Sequence, residues 1–168
     1  MTISMYQATV PPVVRAFNNL VTILEKAAAH AEARKIDPAV LIGSRLYPDM
    51  LPLGRQIQLA SDSAKGGGAR LTGVDIPSYA DEEKTFPELI ERLRKTSAFL
   101  QTLKPEQFEG AEDRTITWQT RTTTRTMQGL PYLQTHVLPN VYFHVTTAYN
   151  ILRHNGLEIG KSDFLGKT

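Results

Sequence analysis

Cysteine is absent from this chain of 168 residues. That absence excludes disulfides, thiolate metal sites, iron–sulfur clusters and cysteine nucleophiles. No run of about 18 apolar residues occurs, so we expect no membrane-spanning helix. The N-terminus lacks a basic start followed by an apolar core, and no signal peptide is predicted. These features together predict a cytoplasmic protein with no membrane partner.

An excess of one charge is also lacking, since 19 Lys and Arg face 17 Asp and Glu for a net charge of +2. So small an excess gives no indication of a nucleic-acid partner. Arg121 and Arg125 near Trp118 are typical of a nucleic-acid contact, but a solvated hairpin face is the favoured interpretation. The run Gly66-Gly67-Gly68 follows a helical pattern rather than a strand, which argues against a phosphate-binding loop.

Apolar residues at helical spacing dominate what is present, and the length fits a single domain spanning residues 1–168. The first long helix is expected to open at Pro11 and Pro12 and to fade near Arg34. A short helical turn should follow Asp37-Pro38.

The second long helix is expected to have Asp49 as its cap and Pro52 in its first turn, and to end at Gly73. A continuous helix through the glycine run is favoured over a break, because the apolar stripe resumes at Leu71. Either the run permits a close helix–helix approach or it breaks the helix. Beyond a polar loop at 74–84, the capping box of Thr85 and Glu88 predicts a third helix that Pro105 stops.

Alternating threonines between residues 110 and 129 predict a small β-hairpin. The last helix should start near Leu130 or Pro131, with a kink or a division at Pro139, and end at Asn155-Gly156. The predicted fold class is all-α: a four-helix bundle with a β-hairpin insertion before the last helix. A tail with Phe164 is expected to pack back on the bundle.

His144 is the sharpest polar feature, because it shares one helix face with Val141, Ala148 and Ile151. One interpretation is a core histidine that is hydrogen-bonded to a neighbour. The other is a metal ligand or a general base, the role for which imidazole is suited near neutral pH. Both interpretations remain open at this point.

Partners for a metal ion at His144 are hard to find in the pattern. A zinc site needs three or four ligands, and a histidine four residues away is the usual second one on a helix. Ala148 and Asn140 occupy those two positions. His136 lies two turns back across Pro139, His154 is about 80° off the face by helical arithmetic, and His30 is expected to be exposed near the end of the first helix.

Three other residues complete the set of pocket candidates. Gln56 flanks the apolar stripe of the second helix closely enough to reach inward. Asp62 lies on another face, where a solvated charge near Lys65 is favoured over a contact across a second interface. Tyr149, seven residues after Tyr142, is expected to contribute packing more than catalysis.

Two segments carry a family resemblance. Residues 45–50 (RLYPDM), continuing through Gln56 and Asp62 to Ala64-Lys65, form the first. Residues 138–149 (LPNVYFHVTTAY) followed by 151–156 (ILRHNG) form the second, longer one. They resemble a bacterial family of unknown function within the DinB/YfiT-like superfamily, whose members resemble metalloenzymes. The resemblance extends over nearly the whole chain.

The resemblance implies a four-helix bundle of up-down-down-up order that is often a homodimer. It also implies a divalent metal held by one histidine of the second helix and two of the last helix, four apart. His144 matches one of the last-helix ligands, Ala148 stands at the other, and Gln56 is the nearest candidate for the second-helix position. Some members of the superfamily are similar to thiol-dependent transferases or hydrolases.

Two functions remain open. The favoured hypothesis is a DinB-like bundle without the standard three-histidine metal site, which binds a small molecule near His144 or acts as a structural homodimer. The alternative is a metal- or thiol-dependent transferase or hydrolase with a non-standard ligand set around His144, whose cofactor would be a divalent zinc or nickel ion. The sequence leaves open whether the protein is an enzyme.

Overall fold

The computed structural model, which describes residues 3–120 and 122–166, is mostly helical with one two-stranded sheet. The elements in chain order are α1 (Met5–Arg34), α2 (Pro38–Gly43), α3 (Leu53–Thr72), α4 (Phe86–Thr102), a 3-10 turn (Pro105–Phe108), β1 (Thr115–Gln119), β2 (Thr124–Gln128), α5 (Gly129–Tyr132), a π-helical turn (Leu133–Val137), α6 (Leu138–His154) and α7 (Lys161–Leu165). The mainly helical class and the hairpin before the last helix are therefore confirmed.

The start of α1 corrects the prediction from the proline pair. Ser4 caps the helix, with its hydroxyl accepting from the Gln7 amide at 3.1 Å and the Gln7 side chain accepting from the Ser4 amide at 3.0 Å. Pro11 and Pro12 thus lie inside the helix rather than at its first turn. The capping box satisfies the amides of Ser4 and Gln7 at the helix start, so the helix begins at Met5. Its end at Arg34 is as predicted.

The start of α3 also differs from the prediction. Asp49 is not the cap, because the N-cap residue is Pro52, which supplies no side-chain hydrogen bond. The first helical amide, that of Leu53, donates instead to the carbonyl of Ser44 at 2.9 Å. A contact distant in sequence therefore replaces the local cap. The end of the helix at Gly73, with φ of +76°, agrees with the prediction.

The glycine run lies within a continuous α3, as favoured from the sequence. A Cβ on Gly66 would lie 2.6 Å from a terminal nitrogen of Arg70, and one on Gly67 would collide with Val137. A Cβ on Gly68 would lie 2.8 Å from Leu100. The run therefore lets α3 approach the last helical segment on one side and α4 on the other.

The capping box of α4 is present as predicted, with the Glu88 carboxylate accepting from the Thr85 amide at 2.9 Å. The last helical segment is divided as expected near Pro139, which lies in the first turn of α6. The division takes the form of the π-helical turn just before it. Missing proline hydrogen bonds and π-turns are recognised causes of such interruptions.

The four long helices pack side by side, with α4 between α1 and α3, and α6 between α3 and α1. Their apolar faces form one buried core with the hairpin residues Ile116 and Trp118. The tail packs back as predicted, since the Asn19 amide donates to the carbonyl of Phe164 at 3.0 Å. No helix in the described ranges is long and apolar enough to cross a membrane.

Candidate functional site

The side chains of Gln56 and His144 meet across the α3–α6 interface. His144 Nδ1 lies 2.7 Å from Gln56 Oε1. Both residues sit near the periphery of apolar stripes that hold the two helices together, next to the buried residues Ile57, Val145 and Ala148. The pair is thus brought together by the packing of α3 against α6.

The orientation of the Gln56 amide follows from its second hydrogen bond. Its Nε2 donates to the carbonyl of Leu51 at 2.9 Å. A carbonyl only accepts, so the amide nitrogen must face Leu51 and the amide oxygen must face His144. His144 Nδ1 therefore carries the proton and donates it to Gln56, which leaves Nε2 with its lone pair.

Burial adds to this arrangement. Gln56 is only 2% exposed, and His144 is half-buried with the ring of Phe143 edge-on at 5.2 Å. Burial lowers the pKa of His144 below its ordinary value, because a charged imidazolium is poorly solvated there. Nε2 makes no hydrogen bond with described residues and is not closed off from solvent. The site presents a neutral imidazole with one available acceptor.

The residues around His144 do not fit the three-histidine metal set that the resemblance implies. The position four residues on is Ala148, which is fully buried and has no donor atom. Gln56 Oε1 already accepts from the imidazole. Within residues 3–120 and 122–166, no three His, Asp or Glu side chains come together as a group able to hold a metal ion.

The remaining histidines lie apart from this pair. His136 is in the π-helical turn, stacked on Tyr132 and Trp118. His154 is exposed at the end of α6. His30 is half-buried rather than exposed as expected, and it lines a cavity with Gly156 and Leu157 of the loop after α6.

Asp62 is not part of the His144 site. One of its carboxylate oxygens lies 3.0 Å from Lys65 Nζ and 2.9 Å from a terminal nitrogen of Arg92 on α4. The structure therefore combines both interpretations: the carboxylate is 37% exposed beside Lys65, and it also contacts Arg92 across the α3–α4 interface. The reason is that Arg92, which is 3% exposed, has to be neutralised where α3 and α4 meet.

Arg92 lies at the centre of a charged cluster that the sequence analysis did not predict. Glu83 lies 2.8 Å and Asp81 3.0 Å from the guanidinium, so the loop before α4 is held against the bundle. Burial raises the pKa of Glu83, but hydrogen bonds from Arg92 and Gln58 outweigh it and leave that pKa below its ordinary value. In the sequence, an arginine at position 92 on the same helix stripe as Leu89 and Leu93 is the pattern that indicates a buried charge.

Tyr149 lies away from His144 as well. It is half-buried, and its ring meets that of Phe164 in an edge contact at 6.0 Å. This is the packing role expected for it. Trp118 is 6% exposed and stacked inside the protein, so it is not free to stack on a base. Arg121, its companion in the nucleic-acid interpretation, lies outside the described residues.

The described residues thus form a mostly helical protein with a hairpin before the last long helix and a Gln–His pair between α3 and α6. Its structure is similar to the crystal structure of a DinB family member protein from Shewanella denitrificans, with 42% sequence identity and a TM-score of 0.91 over 98% of this chain and 93% of that one. The model of a domain of unknown function, DUF1993, matches residues 5–165. The chain therefore belongs to the DUF1993 family of DinB-like proteins. No curated protein matches it.

Proposed function

We propose that this DinB-like protein binds a small molecule through the free Nε2 of His144, and that no three-histidine metal centre operates there. The hydrogen bond of 2.7 Å from His144 Nδ1 to Gln56 carries the proposal. It holds the imidazole in one tautomer and one orientation, as a binding site requires of its polar groups. The ligand class is a molecule with a hydroxyl, amide or thiol donor.

The surroundings of His144 add an apolar component to that ligand. Phe143 is 57% exposed beside the imidazole. Leu51, whose carbonyl accepts from Gln56, also has an exposed side chain. A donor group carried on an aromatic or aliphatic frame would satisfy both features. Such mixed apolar and polar recognition is usual in small-molecule sites.

A set of matched probes tests this binding. In protein labelled with 15N at histidine, phenol should shift the Nε2 resonance of His144 saturably, because its hydroxyl donates to the lone pair. Anisole, which has the same ring and no donor, should not. Saturable binding of phenol, measured by calorimetry, should be lost in a His144→Phe variant. Equal shifts with anisole, or binding of phenol that survives in His144→Phe, would contradict the proposal.

Metal content separates the proposal from a metalloenzyme. The site offers one imidazole nitrogen, whereas zinc takes three or four protein or solvent ligands with at least three from the protein in known sites. Protein purified without an affinity tag should therefore carry zinc or nickel well below one ion per chain. Stoichiometric metal that disappears in His144→Ala would overturn the non-metal part of the proposal.

The order of the four long helices is also part of the proposal, as up-down-down-up. The pairs Gln56–His144 and Gly67–Val137 support antiparallel α3 and α6. The pair Ser61–Thr96, at 2.8 Å, and the approach of Gly68 to Leu100 support parallel α3 and α4. The ion pair Glu25–Arg94 and the ring contact Tyr6–Phe108 support antiparallel α1 and α4.

A homodimer completes the proposal. The resemblance to often dimeric bundles supports it, as do Tyr142 and Phe143, two large side chains that α6 leaves exposed. Light scattering at micromolar concentration should give twice the chain mass of 18.7 kDa. Phe143→Ser should lower that mass if α6 contributes to the contact. A monomeric mass for the unmodified chain would refute the dimer.

The second candidate is thiol-dependent transfer with His144 as general base. The neutral state of the imidazole at pH 7 favours it, because an unprotonated Nε2 is what a base requires. Nε2 would take the proton of a thiol, and the thiolate would displace chloride from 1-chloro-2,4-dinitrobenzene. A rate above the background with glutathione that is lost in His144→Ala would support catalysis. A rate equal to the background would leave binding as the function.

A further inference from the structure

A second polar region lies where the hairpin covers the π-helical turn. The imidazole of His136 is stacked on Tyr132 with ring centroids 5.3 Å apart, and the Trp118 ring lies 4.7 Å away on the hairpin side. Trp118 and Tyr132 are buried, whereas His136 is half-buried. The stack holds the imidazole at the edge of the core with one side toward solvent.

Arg70, from the end of α3, lies beside this stack. One of its terminal nitrogens donates to the Tyr132 hydroxyl at 3.1 Å. The same nitrogen would be 2.6 Å from a Cβ at position 66, so Gly66 leaves the room in which the guanidinium rests. No carboxylate among the described residues pairs with Arg70. The remaining N–H donors of this half-buried guanidinium have no hydrogen-bond acceptor among the described residues.

Arg125 approaches from the hairpin. In the β1–β2 register it stands directly opposite Trp118, so its side chain starts on the face of the hairpin that covers the stack. The other face carries threonines, where Thr117 and Thr126 hydroxyls lie 3.1 Å apart. Arg125 is exposed and makes no ion pair with the described carboxylates. Arg70 and Arg125 therefore each approach one of the two rings that stack on His136, and neither pairs with a described carboxylate.

The electrostatics agree with this proximity. Burial first, and then the charges of Arg125 and Arg70, lower the pKa of His136. Its Nδ1 lies 3.5 Å from the Asn140 amide nitrogen, which also donates to the His136 carbonyl at 2.6 Å. A donor facing Nδ1 leaves the proton on Nε2. The imidazole is therefore a further N–H donor beside the two guanidinium groups.

We infer that Arg70, Arg125 and His136 form a binding site for a small oxyanion, a phosphate or a carboxylate. Guanidinium groups bind both anions through paired N–H···O contacts, which suits two guanidinium groups that pair with no described carboxylate. An anion would also remove the mutual repulsion of the basic groups. The site is separate from the Gln56–His144 pair, about two helical turns away along α6, so either can fail without the other.

The chain itself supplies the probe, because Trp118 is its single tryptophan and touches the proposed site. Its fluorescence is titrated with sodium phosphate and, separately, with sodium succinate, at an ionic strength held constant with sodium chloride. Calorimetry on the same solutions gives the affinity without reliance on the tryptophan. A saturable response in at least one titration is expected.

Variants decide whether the three residues are responsible. Arg125→Gln, at an exposed position, and Arg70→Gln should each weaken binding about tenfold or more, the size of one charge-assisted hydrogen bond. Arg70→Lys should recover only part of that loss, since a lysine keeps the charge and lacks the fork. Arg94→Gln is the matched control, because Arg94 is exposed and paired with Glu25 at 2.8 Å elsewhere, and it should bind as the unmodified chain does.

The outcomes are distinct. Saturable binding of phosphate alone assigns the site to phosphates, and tighter binding of succinate assigns it to carboxylates. The inference is overturned if neither anion saturates, if sodium chloride alone gives the same response, or if both Arg125→Gln and Arg70→Gln retain full affinity. If Arg70→Gln does not fold, Arg125→Gln alone decides the matter.

Discussion

Gln56 Oε1 accepts a hydrogen bond from His144 Nδ1 at 2.7 Å, while the other end of the same amide donates to the carbonyl of Leu51 at 2.9 Å. The three groups form a chain in which each donor and acceptor role follows from the fixed role of the backbone carbonyl. The tautomer of His144 is therefore determined by a residue 88 positions away in the sequence.

The first prediction concerns that tautomer. At pH 7 the imidazole of His144 should be neutral and protonated at Nδ1, the less common form in free histidine. Long-range 1H–15N correlation spectra distinguish the two ring nitrogens directly. The exposed side chain of His154, at the end of α6, is the internal control. A proton found on Nε2 of His144 would show that Gln56 does not direct it.

Removal of the amide is the second prediction. Gln56→Ala leaves the Nδ1–H of His144 and the carbonyl of Leu51 without their partner, in a place where Gln56 is 2% exposed. The loss should lower the free energy of unfolding by about 1–3 kcal/mol. Urea denaturation measures it, with Gln101→Ala on exposed α4 surface as the control. Equal stability of the two variants would speak against a buried, satisfied amide.

Gln56→Glu should change the charge state of His144. A carboxylate in hydrogen-bond contact with Nδ1 favours the imidazolium, so the pKa of His144 should rise from its lowered value. The same 15N titration measures this shift. The response of His144 to phenol should weaken at pH 7, because a protonated Nε2 no longer accepts. An unchanged pKa would mean that position 56 does not face the imidazole.

The close approach of α3 and the π-helical turn gives the fourth prediction. A Cβ at Gly67 would collide with the side chain of Val137, so Gly67→Ala should destabilise by about 1–3 kcal/mol despite a better helix propensity. Val137→Ala in the same chain should recover part of that loss. Gly43→Ala, where nothing lies within 4 Å of the added Cβ, is the control. Additive effects of the two substitutions would contradict direct contact.

Arg92 gives the fifth prediction. Arg92→Met leaves Asp62, Asp81 and Glu83 without their shared cation. The cost should be about 3 kcal/mol, the low end for a broken buried ion pair, because Asp62 and Asp81 remain partly in water. Urea denaturation measures it, and Arg94→Met, at an exposed position, is the control.

The pH dependence of that variant follows from linkage. The pKa values of Asp81 and Glu83 are lower in the folded protein than their ordinary 3.8 and 4.5. Their contribution is therefore complete above those ordinary values and is lost as the pH falls through the folded pKa values. As the pH falls below about 4.5, the free energy of unfolding of Arg92→Met should therefore decrease less than that of the unmodified chain. Parallel pH profiles would argue against the pairing.

Local patterns in the sequence predict the long helices, the Thr85–Glu88 capping box of α4 and the β-hairpin, because each depends only on residues close together in the chain. The start of α3 is not predicted in this way, because Leu53 donates to Ser44 instead of to a side chain beside it in the sequence. The start of α1 was local but was missed, since the proline pair outweighed the Ser4–Gln7 box. A proline in a helix interior removes the amide donor to the carbonyl four residues earlier, which weakens the helix but does not determine where it starts.

The candidate residues divide in the same way. Helical spacing places His144 on an apolar face and puts Ala148 where the usual second ligand would stand, because side-chain position on a helix follows from spacing. The groups that face each other follow from the packing instead: Gln56 meets His144, Asp62 meets Arg92, and His136 stacks with Trp118. Which side chains become partners depends on how the helices pack across the core. These partners are far apart in the sequence, so no local sequence pattern predicts them.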